Sequence, residues 1–211
     1  MISAMATPEA AARTPKRRRR SPESAEREIL AAAEALLRER PFRDLTVDDV
    51  MARTTLSRPS FYVYFRGRHE LVVRLVEGIG GELYASAAPW LEGDGDPREG
   101  VRAALEAVTA VYERHGLALG AIADAAEQDA EVEVIYRGLV QRFIDANAKR
   151  IAEESERGNV AGLDSQQTAR ALVLMSERYF TETLGRLPQE PVEQVVETLS
   201  TIWMRVLYGE S

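Results

Sequence analysis

Apolar residues recur three and four positions apart along most of the chain, and no stretch alternates with period two for long enough to demand a strand. The pattern predicts an all-α protein. Ser21-Pro22 opens a first helix to about Glu39, with Ile29, Ala32, Ala33, Leu36 and Leu37 on one face and Pro41 as its stop. Thr46, Asp48 and Asp49 place a capping hydroxyl and two carboxylates at a second helix start, where unpaired amides and the helix dipole favour them. That short helix gives out around Arg53-Thr54-Thr55, since β-branched residues are poor helix formers. Ser57 is an N-cap candidate for a third helix, with Pro59 in its first turn, where a missing N–H costs little. Arg66-Gly67-Arg68 marks a break before a long amphipathic helix from about His69 to Ala88, which Gly78, Gly80 and Gly81 weaken and Pro89 ends. Beyond the Glu92–Pro97 loop, further helices are expected at about 98–114, 117–126, 131–157, 165–184 and 191–208.

The second and third helices carry the candidate chemistry. Phe61, Tyr64 and Phe65 fall on an inward face of the third, leaving Arg58, Ser60 and Tyr62 outward. A short helix presenting arginine, serine and tyrosine after a turn is what a reader of a duplex groove needs. Seven residues at about 1.5 Å each span roughly 10 Å, which fits a major groove about 12 Å wide.

Charge decides whether that reading survives. The 211 residues carry a net charge of −7, which taken alone argues against nucleic acid. Its distribution reverses the inference: residues 1–70 hold 14 Lys/Arg against 10 Asp/Glu, and the remainder 13 against 24. A basic end on an acidic body is expected when only one part touches phosphate. Much of the basic excess is the run Lys16-Arg17-Arg18-Arg19-Arg20, closing an Ala-, Thr- and Pro-rich stretch that should be disordered. Beside a helix-turn-helix, Arg17, Arg18 and Arg19 read as a DNA arm that neutralises phosphates or enters a minor groove.

Composition removes other classes. Without cysteine there is no disulfide, thiolate or cysteine metal site, and the two histidines, His69 and His115, read as solvated or hydrogen-bonded rather than catalytic. No apolar run approaches the roughly 20 residues of a membrane span, and no secretory signal is evident, so a cytoplasmic location is expected. No metal or cofactor is expected.

Thr46-Val47-Asp48-Asp49-Val50 followed by Leu56-Ser57-Arg58-Pro59-Ser60-Phe61-Tyr62-Val63-Tyr64-Phe65 closely resembles the DNA-binding head of TetR-family transcriptional regulators. The body is similar to the ethionamide-resistance repressor subgroup through Ser176-Glu177-Arg178, Ile202-Trp203 and the Leu207-Tyr208-Gly209-Glu210 ending. Departures are Thr54-Thr55 where the family turn has Ala-Gly, Met51 for an Ala, and Arg68 for a Lys. The family glycine normally relieves a positive φ, so Thr55 bears on how the third helix is aimed.

The resemblance implies a basic arm (1–20), a helix-turn-helix head (21–68) and a larger helical ligand-binding and dimerisation body (69–211). It implies that Arg58, Ser60 and Pro59 face bases, while Thr46, Ser57, Tyr62, Tyr64 and Arg68 hold phosphates of double-stranded operator DNA. It implies a homodimer through the last two helices, whose apolar content is Leu172, Val173, Leu184, Val195, Val196, Leu199, Ile202 and Val206. It also implies an apolar channel for a small hydrophobic effector, lined by Val101, Leu105, Val108, Tyr112, Tyr136, Val140, Phe143, Asn147, Ser176, Glu177, Phe180 and Trp203. On periodicity alone the same stripe reads as ordinary core. The expected function is a regulator, a repressor released by its ligand. The alternatives are a constitutive DNA-binding dimer without a ligand, and an all-helical enzyme for which no nucleophile or base can be placed.

Overall fold

The computed structural model describes residues 21–160 and 162–209. The arm residues Arg17, Arg18 and Arg19 and the terminal Glu210 lie outside them. Among the described residues the elements are α1 (Pro22–Leu37), a 3-10 turn (Phe42–Asp44), α2 (Val47–Ala52), α3 (Arg58–Tyr64), α4 (Arg68–Ser86), α5 (Ala88–Leu91), α6 (Pro97–Ala126), α7 (Ala130–Glu156), α8 (Ser165–Thr183) and α9 (Val192–Tyr208), with no strand. The fold is the all-α arrangement expected, a helix-turn-helix head on a larger helical body. No described helix is long and apolar enough to cross a membrane.

Two boundaries differ from the local pattern. Residues 97–126 form one helix rather than two, although Gly116 looks like a stop. The reason is long-range. A Cβ on Gly116 would lie 2.4 Å from the Leu184 carbonyl oxygen, and one on Gly120 would lie 2.2 Å from that of Gly185. These glycines let α6 pass against the end of α8, and a continuous ladder tolerates them. The second difference is Pro89. It ends no helix; α4 stops at Ser86 and Pro89 sits in the first turn of α5, where its missing N–H is harmless.

The head does not close over a core of its own. Ile29, Leu36, Leu45, Val50, Phe61 and Phe65 pack in one cluster with Leu71, Val72, Leu75 and Val76 of α4, Ala118 and Ile122 of α6, and Val132 and Leu139 of α7. The boundary between residues 68 and 69 therefore cuts through shared apolar contacts, and the head is coupled to the body by burial. Polar bridges reinforce the joint. His115 Nδ1 lies 2.8 Å from Glu34 of α1 and Arg74 pairs with Glu26 at 2.9 Å; within the body, His69 Nε2 lies 2.8 Å from Asp129.

Asp129 also caps α7, accepting from the amides of Glu131 and Val132. The His69 hydrogen bond, more than any other contact, holds its carboxyl below the usual aspartate range. A depressed folded value means that the contact's contribution is full above the unfolded range near pH 4 and fades as pH falls through the folded value. Asp129→Ala should cost about 1 kcal/mol at pH 7, the usual loss for a missing N-cap. In thermal melts that is about 2–4 °C. The gap between variant and parent should shrink below about pH 4; a gap that widens there would contradict this reading.

Candidate nucleic-acid interface and apolar cavity

The interface is built by two short helices and the turn between them. Thr46 caps α2, its hydroxyl accepting from the Asp49 amide at 3.1 Å while donating to the Asp49 carboxylate at 2.7 Å. Ser57 occupies the N-cap position of α3, but its side chain makes no capping bond; it pairs with the Ser60 hydroxyl at 2.9 Å. The turn between them needs no left-handed residue: no described non-glycine residue has positive φ. Instead the Thr54 hydroxyl donates to the Met51 carbonyl at 2.9 Å and accepts from the Leu56 amide at 3.2 Å. Thr55 is tied to the Glu28 carboxylate of α1. Hydroxyl hydrogen bonds replace the conformational freedom that a glycine would supply there.

Phe61 and Phe65 are fully buried and Tyr64 is half-buried, so α3 turns Arg58, Pro59 and Tyr62 to solvent with Ser60 at the margin. Arg58 pairs with the exposed Asp48 of α2 and lies 5.6 Å from the centre of the Tyr62 ring. Arg68 is placed differently from the others. It donates to the Arg43 carbonyl at 3.1 Å and lies 4.9 Å from the centre of the Phe42 ring, bracing the 3-10 turn. Sequence reasoning passed over Val63, which is 75% exposed on α3. Its signal was its place next to Tyr62 and outside the Phe61–Phe65 pair.

In the body, all twelve residues expected to line a channel surround one cavity of about 100 Å³ between α4 to α9. Leu83, Ala87, Trp90, Ala104, Leu119, Leu139 and Val173 complete its wall. Of these seven, Val173 had been assigned to the dimer helices, and the other six had not been singled out for the channel. The rings of Tyr112 and Phe180 stack with centres 4.5 Å apart and planes 12° from parallel. All three polar groups expected to orient a ligand already have partners. Trp90 Nε1 donates to Asn147 Oδ1 at 2.8 Å, Asn147 Nδ2 donates to the Phe143 carbonyl at 2.8 Å, and Trp203 Nε1 donates to Ser176 Oγ at 2.9 Å. Tyr136 donates its phenolic hydrogen to Glu177, as does Thr181 at 3.1 Å. Burial first, then the Glu177 charge, pushes the Tyr112 phenol well up. Burial, followed by Tyr112 and Glu177, does the same to Tyr136. Both phenols therefore stay protonated donors.

The presumed dimer helices are less exposed than their apolar content suggests. Leu172, Val173, Leu184, Val195 and Leu199 enter the protomer's own core. Val196 and Ile202 are half-buried, while Val206 and, on α8, Leu174 are exposed.

A helix-turn-helix head carried by an all-helical body is the architecture of a DNA-binding regulator. Residues 29–75 match the family described as bacterial regulatory proteins, tetR family, and residues 101–209 match the transcriptional regulator EthR, C-terminal domain. The HTH-type transcriptional regulator EthR of Mycolicibacterium smegmatis is 31% identical over 208 residues, covering 93% of this chain and 94% of that protein. Its Mycobacterium tuberculosis counterpart is 31% identical over 201 residues, covering 92% and 93%. The chain belongs to the TetR family of transcriptional regulators, in the EthR subgroup. Among solved structures, a TetR-like transcriptional regulator from Rhodococcus sp. RHA1 superposes with a TM-score of 0.69 at 23% identity, over 92% of this chain and 97% of that one. The fatty acid degradation regulator FadR from Bacillus halodurans shares the fold, with a TM-score of 0.75 at 12% identity over 84% and 93%. TetR-family regulators bind operator DNA and act as dimers.

Proposed function

We propose that the protein is a repressor that holds its operator with one α3 per subunit and releases it when an elongated apolar molecule fills the body cavity. The observation that carries the ligand half is the convergence of twelve residues, spread over four helices, on one cavity. Leu139 supplies the coupling: it lines the cavity, belongs to the head's apolar cluster, and packs so closely on α4 that a Cβ on Gly80 would sit 2.7 Å from it. At about 100 Å³ the cavity is smaller than the roughly 300–1,000 Å³ of most drug-sized sites. A long ligand must therefore move Leu139 and its neighbours, and that movement gives it different affinities for the two head spacings, which release requires. The closed volume also sustains a second reading, a constitutive DNA-binding dimer whose body serves only to join subunits.

In the DNA half, Arg58 exchanges the exposed Asp48 for a guanine edge, Ser60 and Pro59 approach bases, and Val63 meets a thymine methyl. Thr46, Ser57, Tyr62 and Tyr64 contact phosphates. An exposed ion pair is weak, so Asp48 is readily displaced. Arg58→Ala should weaken operator binding roughly ten- to a hundredfold while leaving random-sequence affinity nearly unchanged. Titrations on both DNAs check this, and equal losses on both would reduce Arg58 to a phosphate contact.

One head reads half a site, so a second subunit is needed for specific affinity. The exposed Leu174 and Val206 support the α8–α9 face as the interface. Val206→Glu should turn a dimer into a monomer in sedimentation velocity at micromolar concentration. A wild-type protein that sediments as a monomer, free and on DNA, would remove this interface from consideration.

A further inference from the structure

Glu177 is the only ionisable carboxylate on the cavity wall, and every other group there is apolar, aromatic or a neutral polar side chain. It is half-buried, and no described cation pairs with it. Its Oε1 accepts from both Tyr136 and Thr181. Those two donors fix the plane of the carboxylate and leave its second oxygen without a described partner. Tyr112, Phe180 and Trp203 also line the wall, and aromatic rings tolerate a cation nearby better than an anion. Asn147 and Ser176, the other polar residues, are held by the two indoles and compete weakly for a ligand.

We infer that the cavity selects an amphiphile with a cationic, hydrogen-bond-donating head, such as a long-chain primary amine, whose ammonium pairs with Glu177 while its apolar tail lies among the aromatic residues. This rests on the cavity being a ligand site and adds the chemistry of the ligand. An anionic amphiphile meets like charge in a low-dielectric wall, and a neutral one leaves Glu177 without a counter-ion.

The chain's two tryptophans, Trp90 and Trp203, both line the cavity, so intrinsic fluorescence reports its occupation. The test titrates the full-length protein with n-dodecylamine, n-dodecanol and sodium dodecanoate, each below its aggregation concentration, and follows fluorescence and melting temperature. The amine should bind about tenfold or more tighter than the alcohol, the gain expected from a charge-assisted hydrogen bond, and the dodecanoate should bind weakest. Glu177→Gln keeps an acceptor for Tyr136 and Thr181 and should erase the amine's advantage over dodecanol. Alcohol or dodecanoate binding as tightly as the amine, or an amine preference that survives Glu177→Gln, overturns the charge assignment and leaves the cavity reading intact. If none of the three changes fluorescence or melting, the cavity reading fails and the assignment falls with it. The ranking on the unmutated protein decides the matter even if the variant does not fold.

Discussion

Replacing Lys16–Arg20 with glutamine should weaken operator binding on the order of 100-fold at moderate salt, the largest loss expected from any change outside the folded head. The reason lies in where the charge resides. Residues 21–70 carry 8 Lys/Arg against 9 Asp/Glu, so the basic excess of the first 70 residues belongs to the first 20. Within the head, Arg40, Arg53, Arg58 and Arg66 each sit against a carboxylate, and Arg68 is turned onto backbone carbonyls. The helix-turn-helix thus offers shape and hydrogen-bond donors but little net attraction. On the proposed reading, the five cations of the Lys16–Arg20 run supply it. If all five neutralise phosphates, the slope of log K against log salt should flatten by about 4–5 per head. Affinity measured between 50 and 300 mM salt would show the change on operator and random DNA alike. An unchanged slope would mean that the run stays in solvent and that the head binds through local geometry alone.

Arg58→Ala should act differently. It removes base readout, so its loss is confined to operator DNA, whereas the arm variant loses affinity everywhere. The pair separates attraction from recognition, and the two effects should add because the residues share no partner.

What could be read from the chain depended on the range of the interaction responsible. The ends of α2 and α3 were legible because Thr46, Ser57 and Pro59 act within one turn of themselves. The face of α3 followed from its period, and Phe61 and Phe65 went inward as expected. The break expected between residues 114 and 117 was misplaced because the role of Gly116 is set by Leu184, more than 60 residues away, and no local pattern encodes that approach. The Thr54-Thr55 turn was opaque for a similar reason: its stability comes partly from Glu28 on another helix. The cavity was legible only through family resemblance. Val101, Leu105 and Val108 repeat as any core stripe does, and periodicity cannot say whether a stripe meets a neighbour or an empty space. The occupation of Asn147 and Ser176 by Trp90 and Trp203 was likewise invisible, since each pair joins distant helices. That missed pairing is what singles out Glu177.

Glu154→Ala should be the most damaging single change to stability, costing about 3–5 kcal/mol. Glu154 is 1% exposed near the end of α7 and Arg150, one turn earlier, is 4% exposed. Arg150 forms an ion pair with Glu154 at 3.0 Å, and Arg157 and Asn159 complete the carboxylate's shell. Removing Glu154 leaves the buried guanidinium with only the more distant Glu153, at 4.0 Å, with Arg150 Nε already lacking a described hydrogen bond. The damage should reach the cavity, because Arg150 lies 5.2 Å from the centre of the Trp90 ring and Trp90 holds Asn147 on the wall. A drop in melting temperature on the order of 10 °C is therefore expected, together with a shift in tryptophan emission. The pairing itself need not be favourable, since bringing two charges out of water costs about as much as their attraction returns. Replacing both partners, as in Arg150→Met with Glu154→Leu, should recover most of the stability that the single change removes. If the double variant melts as low as Glu154→Ala, lost packing rather than an orphaned charge is responsible. A single variant within about 1 kcal/mol of the parent would mean that water reaches Arg150 and that the pair is not sealed.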